Sequence, residues 1–91
     1  MSSKRERLQV ISDILRAIQA RDGKIRPTHI LYKANLSSQM LTEYLTELIQ
    51  GGFVVETEQK KSKTYSLTDK GYKYIAEYKK VTEFMETFGL N

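Results

Sequence analysis

Apolar residues along this chain fall into several stripes of helical period, interrupted once by a short stretch of β-favouring residues. Leu8, Ile11, Ile14, Leu15 and Ile18 recur at intervals of three and four, which predicts a helix from about Lys4 to Arg21 with one buried stripe. Ser3 and Glu6 have the spacing of a capping box, and Gly23 is placed to end the helix in a left-handed turn. Pro27 fixes the start of a shorter second helix, where Thr28 is expected to cap the first amides and Ile30 and Leu31 to anchor it. Asn35-Leu36-Ser37 breaks that helix and opens a third, with Ser37 as N-cap and Leu36 with Leu41 as a hydrophobic staple. Leu41, Tyr44, Leu45, Leu48 and Ile49 form its buried stripe. Ser38, Gln39, Thr42, Glu43 and Thr46 are left facing outward.

After a turn at Gly51-Gly52 the period changes. Phe53-Val54-Val55 with Thr57, and Thr64 to Leu67, are β-favouring runs on either side of a polar, basic segment, the pattern of a hairpin. The segment lacks an Asn-Gly pair, so a long, mobile tip is expected. Thr68-Asp69 caps a last helix, with the acid where the macrodipole favours negative charge. Tyr74, Tyr78, Val81, Met85 and Phe88 then alternate spacings of four and three, flanked by Ile75 and Phe84. The later members have little domain left to cover them, apart from the chain's own first helix. Monomers seldom leave such a patch in water, which predicts a homodimer through this helix. Two heptads are short for an independent coiled coil, so the domain bodies must contribute.

The chain has 91 residues and is 40% apolar, enough for one domain with one modest core. The expected class is mainly α with a small β hairpin: residues 1–70 form a helix-turn-helix body, and residues 68–89 a dimerisation helix continuous with it. Cysteine is absent, which excludes disulfides and thiolate metal sites. No apolar run approaches the roughly 20 residues of a membrane span, and a soluble, cytoplasmic protein is expected. Nor is there a phosphate-cradling glycine loop, a nucleophile with a partnered base, or a pocketed carboxylate pair. An enzyme, a cofactor and a small-molecule substrate are therefore not expected. Glu43/Glu47 and Glu83/Glu86 read as solvated helix positions without the His or Asp that would complete a metal site, and the single histidine, His29, as a surface or packing residue.

The net charge of +4 matters through its placement. Lys60, Lys61 and Lys63 crowd the hairpin tip, while Lys4, Arg5 and Arg7 occupy a first turn where cations oppose the helix macrodipole. A helix beside a basic tip suits double-stranded DNA: the third helix enters the major groove, and the lysines meet phosphates. The candidate contacts are Ser37, Ser38, Gln39, Thr42, Glu43 and Thr46, with Lys33 near the end of the second helix, and the two basic clusters. No Arg or Lys stands on the outward helix face, so affinity is expected to come mostly from the backbone. Tyr44 and Tyr74 belong to apolar stripes, and Tyr65 is expected to pack rather than stack. The rival reading is a protein-docking domain in a transcription-related assembly, which has no need of a basic tip.

The run IRPTHILYKANLSSQMLTEYLTELIQGGFV followed by TYSLTDKGYKYI resembles the archaeal winged-helix proteins of the Sulfolobus ten-a class, small basic DNA-binding proteins associated with chromatin. The resemblance covers roughly Arg7 to Tyr78. Tyr32 to Ser37 is fairly specific to that group, whereas Leu67 to Gly71 recurs across many winged helices. It implies a winged helix-turn-helix whose long last helix forms an antiparallel coiled coil with a second subunit. Ser37 to Gln50 would be the recognition helix and Gln59 to Lys63 the wing, in a nucleoid-associated regulator or architectural protein. The class tends to place basic residues just after the junction, where this chain has Ser38 and Gln39.

Overall fold

The computed structural model describes residues 4–21 and 24–90, without the side chains of Lys4 and Arg5. In chain order the elements are α1 (Lys4–Arg21), α2 (Pro27–Ala34), α3 (Ser38–Gln50), β1 (Val54–Gln59), β2 (Ser62–Leu67) and α4 (Asp69–Thr87). The strands pair antiparallel from Val54 opposite Leu67 to Gln59 opposite Ser62, and Ile25 adds one bridge to Tyr65. Ile14, Leu15, Ile18, Ile25 and Ile30 are fully buried. Leu41, Leu45, Leu48, Val54 and Tyr65 close the same core from α3 and the hairpin.

The α1 stripe is buried from Ile11 to Ile18, but Leu8 is 41% exposed. Ser3 and Gly23, the proposed ends of that helix, lie outside the described residues. In α2 the N-cap is Arg26, in extended conformation and without a side-chain cap. Pro27 takes the first helical position, so Thr28 sits two residues too late to cap. Asn35 ends the helix in the left-handed region at φ 55°, and Ser37 Oγ accepts the Met40 amide at the start of α3.

Gly51-Gly52-Phe53 closes α3 as a Schellman turn. The Phe53 amide donates to Leu48 O, the Gly52 amide donates to Ile49 O, and Gly52 has φ 82°. The start of α4 is built onto this turn. Thr68 Oγ1 accepts the Gly71 amide and donates to Gly52 O, while Lys70 Nζ donates to Gly51 O at 2.7 Å and lies over the Phe53 ring. These contacts give the Leu67 to Gly71 step its physical reason. It fastens the hairpin's exit to the end of α3.

The tip is a two-residue turn at Lys60-Lys61, and the strands run up to it. The expectation of a long tip fails because Lys60 itself adopts φ 55°, the conformation an Asn or Gly would otherwise supply.

Tyr74 and Tyr78 hold α4 to the body. Their rings stack at 6.0 Å, Tyr74 meets Phe53 edge-on, and their hydroxyls donate to Leu8 O and Gln9 Oε1. Burial pushes the Tyr74 phenol up to about 12, with Tyr78 adding to the rise and Arg7 opposing it. Beyond Tyr78 the groove between α4 and α1 is polar, with Thr82, Glu83 and Glu86 opposite Gln9, Ser12 and Arg16. The helix does return along α1, but with this polar face. Val81, Phe84 and Phe88 remain 49%, 60% and 63% exposed.

Candidate nucleic-acid interface

The outward face of α3 and the hairpin meet in one groove of about 440 Å³. Ser38, Thr42 and Thr46 form one wall, Pro27 and Thr28 at the start of α2 a second, and Glu56 with Lys63 the hairpin side. Tyr65 lies at its base, almost fully buried, and donates to Glu56 Oε2 at 2.9 Å. Burial first, and then Glu56, raise its phenol to about 12. Glu56 also stands 3.9 Å from Lys63 Nζ. Part of Lys63's charge is therefore answered within the hairpin. Lys60 and Lys61, at the exposed tip, make no ion pair among the described residues.

On α3 the two threonine hydroxyls donate to their own helix: Thr42 Oγ1 to Ser38 O at 2.9 Å and Thr46 Oγ1 to Thr42 O at 2.8 Å. Their protons are committed, so they present mainly acceptor lone pairs to the groove. Gln39 Nε2 reaches Glu43 Oε1 only at 3.5 Å, at the edge of a hydrogen bond, and remains available as a donor. Ser37 is committed as the cap.

The candidate set divides. Ser38, Thr42, Thr46 and Lys63 line the groove. Arg7 does not: it ion-pairs with Glu47 and lies 5.5 Å from the Tyr44 ring centre, in a separate hollow that Glu43 shares. Its guanidinium is stabilised in the charged form chiefly by the Glu47 hydrogen bond. Lys33 lies on another side of α2, beside Arg21, His29 and Tyr32. The side chains of Lys4 and Arg5 are outside the described residues. Sequence reasoning passed over Pro27, Thr28 and Glu56 as groove walls. Proline's placement of the second helix start was the available signal for the first two; nothing local to Glu56 shows that the hairpin register will set it opposite Tyr65.

Residues 4–86 match the winged helix-turn-helix family. The chain belongs to that family. In winged-helix terms α3 takes the position of the recognition helix and the β1–β2 hairpin that of the wing. The uncharacterized protein MJ0287 of Methanocaldococcus jannaschii is 31% identical over 84 residues, which span 92% of this chain and 80% of that protein. Among solved structures, Sso10a-2, a DNA-binding protein from Sulfolobus solfataricus, superposes with a TM-score of 0.79 at 22% identity, covering 89% of this chain and 82% of that one. A mutant of MepR from S. aureus, bound to an oligodeoxyribonucleotide, gives a TM-score of 0.73 at 17% identity, covering 87% of this chain and 60% of that one. At these identities the superpositions establish a shared winged-helix fold.

Proposed function

We propose that this winged-helix chain acts as a homodimer that binds duplex DNA, as a transcriptional regulator or an architectural component of the nucleoid. The observation that carries this reading is the shared groove: Ser38, Thr42 and Thr46 of the recognition helix and Lys63 of the wing border one concavity, with Lys60 and Lys61 at the wing's end. A duplex seated there meets the helix in its major groove and the tip lysines along its backbone. Because the helix face offers acceptors and one amide rather than arginines, phosphate attraction supplies most of the affinity. The exposed Val81, Phe84 and Phe88 supply the surface for the second copy.

Titration of a random-sequence duplex at about 50 and about 200 mM salt tests this. Wild-type protein should shift the duplex and weaken steeply with salt. Lys60→Ala with Lys61→Ala should lower the slope of log affinity against log salt by about two. An unshifted duplex at both salts would reject the reading in favour of the protein-docking alternative. The ratio of specific to random affinity then separates regulator from architectural protein.

A further inference from the structure

α2 has a second exposed side. Pro27, Thr28 and Leu31 face the duplex groove and Ile30 and Ala34 the core, whereas His29, Tyr32 and Lys33 project from the remaining face beside the C-terminal half of α1. There they rim a hollow of about 190 Å³ whose floor is Ala17, Ala20 and Ile25, with Arg21 at its edge. Tyr32 is 76% exposed. A shallower depression shares Ala17, Ala20 and Lys33 with the first and continues it towards Arg16, so the two form one elongated track. Its acidic member among the described residues is Asp13, whose carboxylate accepts a hydrogen bond from Gln9 Nε2 at 3.0 Å. Arg21 and Lys33 make no ion pair among the described residues. Arg16 also borders the groove holding Glu83 and Glu86, so the cationic grip is centred on Arg21 and Lys33.

We infer that this face binds single-stranded nucleic acid, separately from the duplex groove. Each cation taken singly complements the negative end of its own helix, Arg21 in the last turn of α1 and Lys33 in the last turn of α2. Helix-end electrostatics gives no reason for an unburied aromatic ring on the same rim. An aromatic platform over a small apolar floor, with cations along the track, is the combination that stacks an unpaired base and holds its backbone. A rigid duplex presents no free base face to Tyr32 and cannot follow a concave floor. A small anion would leave the extension of the track empty. Tyr32 lies three residues before Asn35, the C-cap of α2, so one body can hold a duplex on one side of α2 and a separated strand on the other.

The test uses the full chain and a fluorescein-labelled oligothymidylate of about 12 nucleotides, within the site sizes such tracks occupy, read by anisotropy. Wild-type protein should bind it, and unlabelled random duplex in excess should leave it bound. Tyr32→Ala should weaken strand binding about tenfold, with Tyr32→Phe retaining it, since stacking needs the ring and not the hydroxyl. Arg21→Ala should flatten the salt slope for the strand by about 0.7. Duplex affinity should be the same in all three variants, and their exposed positions spare the core. Strand affinity unaltered by Tyr32→Ala would overturn the assignment. So would displacement of the strand by duplex, or a parallel fall in duplex affinity, because either outcome places both ligands on one surface. Strand binding is read directly, so it stands or falls apart from the duplex titration.

Discussion

Gly71 shows how one residue can carry a junction. It is buried in the first turn of α4, where a Cβ would collide with the Phe53 carbonyl oxygen, and that carbonyl already accepts the Thr68 amide at 3.1 Å. Alanine in a helix is ordinarily favoured over glycine by roughly 1 kcal/mol. Here the sign reverses. Gly71→Ala should destabilise the protein by about 2 kcal/mol, as backbone overpacking does, measurable as a lower urea midpoint. Tyr65 and Tyr74 make a second prediction at this scale. Both phenols titrate near 12 in the fold, against 10 when free, so the folded chain keeps protons the unfolded chain loses. The stability this represents is complete below pH 10 and disappears as pH rises through 12. Tyr65→Phe should flatten the fall in urea midpoint between pH 9 and 11 relative to wild type; identical falls would show that the phenol stays protonated no more readily in the fold than out of it.

Among the elements, the wing departs furthest from what its sequence promises. Its tip is tight because Lys60 accepts a left-handed backbone, a conformation unfavourable by about 1–2 kcal/mol for most side chains and least so for glycine and asparagine. Lys60→Asn should keep the melting temperature while removing one cation, which isolates charge from turn geometry in the binding assay. Lys60→Val, β-branched at positive φ, should lower stability by about 1–2 kcal/mol. Equal stability of the two variants would mean that the turn does not constrain the tip. The wing is also less positive than three lysines imply, since Glu56 answers Lys63. α1 has a comparable correction: Arg7 braces α3 through Glu47 and Tyr44 instead of reaching towards the groove between α3 and the wing.

At the scale of the whole molecule, α4 decides the shape. The principal extents are 49 × 29 × 21 Å, and the 19 residues of α4 account for about 28 Å of length at 1.5 Å each. Its first half is fastened by Tyr74 and Tyr78, and its second half presents polar residues to α1 and apolar ones to water. Phe84 and Phe88 pack on each other at 4.9 Å without being covered. In our reading a second copy covers them. Sedimentation equilibrium should give twice the chain mass for wild type and the monomer mass for Val81→Glu with Phe84→Glu, with unfolding of the body little changed. A monomeric wild type would remove the pairing.

The sequence by itself determined the order and type of the elements, because the periods of its apolar residues and the chemistry of Asn35, Ser37, Gly51, Gly52 and Thr68 act within a few residues of where they stand. It also marked the outward face of α3 and the cations of the wing. Only the tertiary structure decided which of those residues share a surface. Lys63 meets Thr42 and Thr46 across a groove, Arg7 turns to Glu47, and Lys33 joins Arg21 and Tyr32 on another side. Helical period fixes the direction of a side chain relative to its own axis, whereas its neighbours depend on how the axes cross. That crossing is set by the packing of Ile14, Leu15, Ile18, Ile25 and Ile30, residues drawn from three separate segments of the chain.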